Sequence, residues 1–285
     1  MYTCGYVAIV GRANAGKSTL LNALIGEKVA IVSDKPQTTR NNILGIRNEK
    51  NSQIIFVDTP GIHHSKNHLD RFMMKSVRSA LAGVDLILYL VDGSKPTDQE
   101  ERDYIEKLKN ENCPLLIVLT KSDKPLKTDV KADLTISSVK GENLDILLKE
   151  ILKKLPKSAK KNFIFDEDYY TDRSVKFLVG EYIREEALRL LDKEIPHGIA
   201  VDITRFDEKN GITAVEADLI CERDSHKGII IGKGGQTLRK IGEGARKQAE
   251  ELLGTKVVLK LFVKVEKDWR DKQSQLNSFG YTDKK

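Results

Sequence analysis

The chain has no long hydrophobic run: nothing in it approaches the roughly 20 apolar residues a helix needs to cross a bilayer. Cysteine is scarce, with three among 285 residues. Cys4, Cys113 and Cys221 lie far apart and are odd in number, which argues against a disulfide-stapled scaffold and for buried, reduced thiols in the cytoplasm. The apolar start Tyr6–Val10 is too short for a signal peptide and is broken by Gly11 and Arg12. Internal repeats and low-complexity tracts are also missing. What remains is a chain with 40% hydrophobic and 32% charged residues, long enough for one large or two ordinary domains with a well-solvated surface.

Charge is uneven along the chain. The formal net charge is +6. Residues 227–285 hold 14 basic against 7 acidic side chains, while residues 1–226 hold 34 against 35. The basicity is therefore local to the C-terminal fifth, as expected of a surface that meets a polyanion.

The first half alternates short apolar strands with amphipathic helices. Gly5–Val10, Gln53–Asp58, Asp85–Asp92 and Pro114–Thr120 are rich in Val, Ile and Leu with little alternation, the pattern of a parallel sheet buried on both faces. Helices are predicted at Lys17–Ile25, Asp98–Asn110 and Asn143–Leu155. This series implies a doubly wound α/β domain over residues 1–156, with its ligand at the carboxyl ends of the strands. Residues 157–173 are polar and weakly periodic and read as a linker. From residue 174 the order becomes α-β-β-α-α-β, which implies a smaller α+β domain over 174–285. Its predicted elements are a helix at Ser174–Asp192, strands at Ile199–Phe206 and Ile212–Cys221, and a short helix near His226–Ile230. A helix at Gln236–Leu253 and a strand at Val257–Val265 complete it.

Gly11-Arg12-Ala13-Asn14-Ala15-Gly16-Lys17-Ser18 follows a strand and opens a helix, the setting a phosphate-binding P-loop requires. Its glycines let the backbone bend around phosphate oxygens, and exposed N–H groups with the helix dipole favour the anion. Lys17 is expected at the β/γ-phosphates and the Ser18 hydroxyl on Mg²⁺, with Thr19 following in the nucleotide site. Asp58-Thr59-Pro60-Gly61 ends the second predicted strand: Asp58 would hold the metal through water and the Gly61 N–H would meet the γ-phosphate. Thr120-Lys121-Ser122-Asp123 ends the fourth. The Asp123 carboxylate can accept from guanine N1–H and the 2-amino group, a donor pair adenine lacks, and Lys121 would pack over the base. Ser137-Ser138 would close the base from the other side. Together these select GTP.

The DTPG and TKSD boxes resemble the third and fourth boxes of translation-factor-like GTPases. Gln37-Thr38-Thr39-Arg40, followed by Asn41, resembles the switch I signature of the Era, Der and MnmE group, and that resemblance implies that Thr39 joins Mg²⁺ when a γ-phosphate is present. Thr120 stands where the group usually has Asn. Ile62 stands where Ras-like proteins place the glutamine that orients the attacking water, and an aliphatic side chain cannot do that. The resemblance implies that Lys17, Thr39, Gly61 and Asn14 carry catalysis, with Asn14 partly holding a K⁺ ion in place of an arginine finger, and hence slow, K⁺-stimulated hydrolysis. His63, His64 and His68 near the DTPG box read as a solvated switch loop rather than a metal site, with a base or water-positioning role for His63 as the alternative.

The second specific stretch is Gly232-Lys233-Gly234-Gly235, between an apolar run that includes Ile230 and a helix carrying Arg239 and Lys240. This is the pattern of a type II KH domain, whose loop clamps about four nucleotides of single-stranded RNA. Trp269, the chain's one tryptophan, reads as a packing residue, with stacking or a phosphate contact beside Arg270 as the alternative. One G domain followed by one KH domain resembles the Era family over essentially the whole chain. The resemblance implies a monomeric GTPase that binds 16S ribosomal RNA near its 3′ end, assists 30S subunit assembly and makes peripheral contact with the inner face of the cell membrane. Two other readings stay open: an RNA-binding module whose nucleotide acts only as a conformational switch, and a tRNA-directed GTPase.

Overall fold

The computed structural model describes residues 1–282. The chain divides into two compact units, one of residues 1–30, 39–64 and 73–172, the other of 31–38, 65–72 and 173 onward.

The first unit is the doubly wound α/β domain expected. In chain order it contains β1 (Tyr2–Gly11), α1 (Lys17–Ile25), β2 (Ile43–Glu49) and β3 (Ser52–Asp58). Next come α2 (His68–Leu81, whose first turns fall in the second unit), β4 (Leu86–Asp92), α3 (Gln99–Lys109) and β5 (Leu115–Thr120). The last elements are β6 (Leu134–Thr135), α4 (Leu144–Lys154) and β7 (Lys157–Ser158). The sheet order is β2-β3-β1-β4-β5-β6, with β7 pairing the start of β1. All pairings are parallel except β2 with β3 and β7 with β1. Every residue of β3 is buried, and β4 is buried up to Asp92, which is why these strands read as continuous apolar runs. Leu20, Leu21 and Leu24 of α1 pack with Ile9, Phe56 and Leu88 on one face of the sheet. Ile105 and Leu108 of α3 pack with Ala8, Tyr89 and Leu119 on the other.

Four elements of this unit lie outside the predicted series: the two-residue strands β6 and β7, strand β2 and helix α2. Strand β2 pairs antiparallel with β3 at the sheet edge, joined by a tight turn at Lys50-Asn51; its mixed burial broke the apolar run on which the strand reading relied. Helix α2 shows Leu69, Met73, Val77 and Ala80 buried at helical spacing, but its polar surround masked that period.

The segment read as a linker is bound to the first unit as far as Asp172. The Gln53 side chain, wholly buried in β3, holds it: Oε1 accepts from the N–H groups of Ile164 (2.7 Å) and Phe165 (3.0 Å), and Nε2 donates to the Phe165 carbonyl (2.8 Å). The Ile46 N–H donates to the Tyr170 carbonyl at 3.0 Å. Polarity alone made this stretch look like a tether, whereas its backbone is satisfied by a single buried amide and an edge strand.

The second unit contains α5 (Val175–Leu190), β8 (Ala200–Lys209), β9 (Ile212–Cys221) and α6 (Asp224–Ile231). After these come α7 (Gln236–Leu253), β10 (Lys256–Val265) and α8 (Gln273–Ser278). Ser174 caps α5, its side chain accepting from the Phe177 N–H at 3.2 Å. The hairpin β8–β9 closes through Asn210 and Gly211, both with positive φ (53° and 73°), as a two-residue type I′ turn demands. The sheet order is β10-β9-β8, with β10 parallel to β9. Ile183 and Ala187 of α5, Ile241 and Ala245 of α7, and Val215 and Leu219 of β9 share its core. Residues 31–38 are tied to α5: the Val32 N–H donates to Glu185 (2.8 Å), and Arg184, itself paired with Glu181, donates to the Thr38 carbonyl. Trp269 is fully buried, as its packing reading requires, and its Nε1 donates to the Gly198 carbonyl at 2.9 Å.

Gln53→Ala is expected to strip two buried N–H groups of their acceptor and to cost about 2–4 kcal/mol. Urea unfolding of the variant, with trypsin cleavage at Lys157, Lys160 and Lys161 as a local probe, measures both the loss and the release of the segment.

Candidate functional site

Parallel pairing of β1 with β3 places the loops after both strands side by side at the carboxyl end of the sheet. The loop after β1 closes on α1 through Asn14 (φ 64°) and Gly16 (φ 90°). A Cβ at Gly11 (φ 154°) would lie 2.5 Å from the Leu90 carbonyl oxygen, so only glycine fits. Gly16 caps α1 with no side-chain hydrogen bond, so no side chain takes up the first-turn N–H groups that would meet an anion. Lys17 is buried beneath the loop, its Nζ donating to the carbonyls of Gly11 (3.0 Å) and Arg12 (2.8 Å).

At the end of β3, Asp58 is fully buried. Its Oδ2 accepts from Ser18 Oγ at 2.7 Å and Thr39 Oγ1 at 3.3 Å, and those two hydroxyls are 2.8 Å apart. Oδ1 is buried with no hydrogen-bond partner. Burial pushes the Asp58 carboxyl up to about 6, against the pull of Lys17 and the two hydroxyls, and pushes Lys17 down to about 8, against the pull of Asp58. Both charges are thus held in a place that disfavours them. Thr59 Oγ1 donates to the Ile9 carbonyl (2.8 Å) and Pro60 follows it into the turn. A Cβ on Gly61 would lie 2.7 Å from Ala13 Cα and 2.9 Å from Ala13 N. Ile62 joins its N–H to the Gly11 carbonyl (3.2 Å) and packs its side chain among Val10, Val77 and Tyr89, far from any water-positioning role.

The residues expected to meet guanine gather at the same end of the sheet. Thr120 Oγ1 donates to the Ala15 carbonyl at 2.8 Å, with the Val91 carbonyl at 3.2 Å, so the hydroxyl makes the link to the phosphate loop. Lys121 takes a left-handed backbone (φ 63°) and donates to the Asn14 carbonyl (2.8 Å) and Asp92 (2.6 Å). Asp123 accepts from Ser137 Oγ at 2.6 Å, which holds its carboxyl below the ordinary aspartate value. Ser122 bonds Glu142 (2.6 Å), and Ser138 is half-buried beside Ser137. Arg12 pairs with Asp98 and Glu100 at the start of α3. Within switch I, Thr39 and Arg40 are buried and Asn41 is half-buried. In the second unit Thr38 donates to the Lys35 carbonyl (2.7 Å) and Gln37 to Asp70 (2.8 Å). Asp92 escaped the sequence reading; an acidic residue ending an apolar strand was the available signal. Among the described residues no His, Cys, Asp and Glu cluster suits a metal: His63 bonds the Gly61 carbonyl (2.7 Å) and His64 lies 3.2 Å from Glu100.

In the second unit, α6 ends at Ile231 and α7 starts at Gln236, with Gly232 (φ 74°), Gly234 (58°) and Gly235 (78°) between. A Cβ on Gly232 would sit 2.3 Å from Thr237 Oγ1. Lys233 and Lys240 are exposed beside this loop. Ile230, expected at the RNA groove, lies instead in the core with no exposed surface; a helix position facing the sheet cannot also face a ligand. The groove opens between α7 and β10. Its cavity, about 380 Å³, is lined by Gly235, Leu238, Arg239, Gly242, Glu243, Arg246, Leu259 and Leu261. Only Gly235 and Arg239 of these were predicted, because which α7 face meets β10 depends on the sheet.

A doubly wound sheet with this loop and these base-side carboxylates, followed by a KH-type unit, defines a P-loop GTPase with an RNA-binding domain. Residues 6–121 match the 50S ribosome-binding GTPase family and residues 194–270 the KH domain family. The chain is 46% identical over 295 residues to GTPase Era of Clostridium beijerinckii, covering 99% of this chain and 98% of that one. It is 45% identical to GTPase Era of Clostridioides difficile over the full length of both. Its fold matches a crystal structure of Era in complex with MgGDPNP and nucleotides 1506–1542 of 16S ribosomal RNA (TM-score 0.91, 38% identity, 99% of each chain). It matches equally a variant of Aquifex aeolicus Era bound to GDP and AlF₄⁻ (TM-score 0.91, 38% identity, 98% of this chain and 99% of that one). The chain belongs to the Era family of GTPases.

Thr120→Val is expected to leave the Ala15 carbonyl without its donor and to weaken GDP binding about tenfold; calorimetric titration measures it. Gly61→Ala, whose methyl meets Ala13 backbone, is expected to slow GTP hydrolysis at least tenfold by displacing the phosphate loop, measured by single-turnover phosphate release.

Proposed function

We propose that the chain couples GTP binding and hydrolysis to the holding and release of 16S ribosomal RNA near its 3′ end, and thereby assists assembly of the 30S subunit. The observation that carries this is the full-length likeness to an Era solved with nucleotides 1506–1542 of 16S ribosomal RNA, in a chain that itself has an open, basic-flanked Gly232–Gly235 loop. In this reading, GTP favours the RNA-bound state and hydrolysis favours release, a population shift set by differential affinity.

The nucleotide site fits a divalent cation: the Ser18 and Thr39 hydroxyls converge on Asp58, whose second oxygen is buried without a partner. Ser18, Thr39 and, through water, Asp58 would hold Mg²⁺, which when bound neutralises phosphate charge. Around it, Lys17 supplies a buried cation for the β/γ-phosphates, the Gly61 N–H meets the γ-phosphate, and Asp123 accepts from the guanine edge. Ile62 stands where a water-orienting glutamine would, and the resemblance to the Era, Der and MnmE group supports K⁺, partly held by Asn14, as the cation that serves there instead. The protein acts as a cytoplasmic monomer. No helix among the described residues is long and apolar enough to cross a membrane, and peripheral membrane contact is electrostatic or made through a partner.

Lys17→Ala is expected to abolish useful GTP binding. Lys233→Asp with Gly234→Asp is expected to cripple RNA binding while sparing intrinsic hydrolysis, because two anions then face phosphate. Filter binding to the 1506–1542 fragment and phosphate release report on each, and crosslinking in cells with sequencing of the bound RNA separates ribosomal RNA from tRNA. Replacing K⁺ by Na⁺ is expected to slow hydrolysis; equal rates in the two salts sink the K⁺ assignment.

A further inference from the structure

Residues 1–226 are nearly neutral as a whole, yet one stretch of the first unit is strongly basic. Residues 149–161 hold six lysines and one acidic residue, Glu150. All six lysines are exposed. Lys149 pairs with Asp145 (3.6 Å), Lys153 with Glu150 (2.5 Å) and Lys161 with Glu167. The other three, Lys154, Lys157 and Lys160, carry no ion pair among the described residues. Lys50 is likewise exposed without one, and its turn lies beside the start of β1, where the Thr3 N–H donates to the Asn51 carbonyl at 2.9 Å.

Ordered backbone presents this ridge. Lys149, Lys153 and Lys154 lie on α4, which is fixed to the domain core by Leu147 and Ile151. Lys157 lies on β7, opposite Thr3 of β1, and the preceding Pro156 carbonyl accepts from the Cys4 N–H at 3.3 Å. The Lys160 N–H donates to Ser158 Oγ at 3.2 Å. Strand β1 has ten residues, a length of about 30 Å. The ridge adjoins its amino end, whereas the phosphate loop follows its carboxyl end. The ridge is therefore separate from the nucleotide site, and it belongs to a different unit from the Gly232–Gly235 loop.

The residue types say what such a surface can hold. Residues 149–161 contain no arginine, so the planar fork that recognises one partner group in two places is missing, and only point charges remain. Residues 147–163 expose no large apolar side chain. There is then no platform on which unpaired bases can stack. There is also no apolar face to bury in a bilayer, because the leucines of α4 pack on the core. Point charges without a stacking platform suit phosphates whose bases are already paired, as in helical RNA. We propose that residues 149–161 form a second RNA-contact surface, which holds the phosphate backbone of helical RNA without reading its sequence. The choice of RNA rests on the RNA-binding reading of the second unit: a chain that holds RNA through one unit keeps phosphates at high effective concentration for the other, so a contact weak by itself adds affinity.

The test uses the full chain and RNA duplexes of about 20 base pairs in several unrelated sequences, with affinity read by fluorescence anisotropy over a salt series. The parent chain is expected to bind them all alike. Lys154→Gln with Lys157→Gln and Lys160→Gln is expected to weaken binding about tenfold at physiological salt and to lower the salt slope by about two to three, one step for each lost phosphate contact. Its GTP hydrolysis and melting temperature should match the parent's, since all three side chains are exposed and unpaired. Lys154→Arg with Lys157→Arg and Lys160→Arg, which keeps the charges, should keep the slope. A parent chain that ignores the duplexes overturns the proposal, and so does a triple Gln chain that binds them as the parent does. If the triple Gln chain keeps the duplexes but leaves vesicles of phosphatidylglycerol and phosphatidylcholine, the ridge meets lipid and the proposal falls. Lys233→Asp with Gly234→Asp is expected to lose the 16S 1506–1542 fragment and keep the duplexes. If that variant loses the duplexes as well, the second unit holds helical RNA and the proposal falls. If it keeps both, the RNA reading of the loop falls while the duplex data uphold the ridge.

Discussion

The approach of Gly61 to Ala13 is the constraint on which the nucleotide site depends. Parallel strands β1 and β3 lie next to one another, and a parallel pair delivers its two following loops to the same end. The DTPG turn can then press against the phosphate loop, backbone to backbone, at a distance that admits no side chain on residue 61. The Ile62 N–H to the Gly11 carbonyl continues the contact. From this follow the depth of Asp58, its reach to Ser18, and the position of the Gly61 N–H.

That depth has an electrostatic consequence. Lys17 and Asp58 are both buried, and burial shifts each towards its neutral form. A site that disfavours its own charges is prepared for a ligand carrying the complements, a polyanion for Lys17 and a cation for Asp58. Around it the loop is held by side chains from the end of β5: Thr120 on the Ala15 carbonyl and Lys121 on the Asn14 carbonyl. The Thr120 hydroxyl suffices for this link, since a backbone carbonyl asks only for one donor.

In the second unit the constraint is again a close approach. Gly232 lies against Thr237 and Gly242 against Leu261, one permitting the bend between α6 and α7, the other setting how near α7 lies to β10. Segment 31–38 is held here by Arg184 and Glu185 of α5. The carbonyl that Arg184 grips belongs to Thr38, the last residue of that segment.

Local sequence determined the motifs, because phosphate and RNA backbones are met by glycines, N–H groups and lysines at fixed spacing within one loop. Gly11–Ser18, Asp58–Gly61, Thr120–Asp123 and Gly232–Gly235 were legible for that reason, as were the buried parallel strands and the α-β-β-α-α-β order. Tertiary structure decided what depends on which surfaces meet. The mixed face of β2 and the masked period of α2 became evident only beside β3 and the sheet. Gln53 turned an apparent linker into part of the first unit. Asp92 acquired a role because Lys121 folds back over it. Ile230 went to the core, and Leu238, Arg246, Leu259 and Leu261 became a groove, because the face of α7 that meets β10 is chosen by how the helix packs on the sheet and leaves no mark on the helix's own sequence.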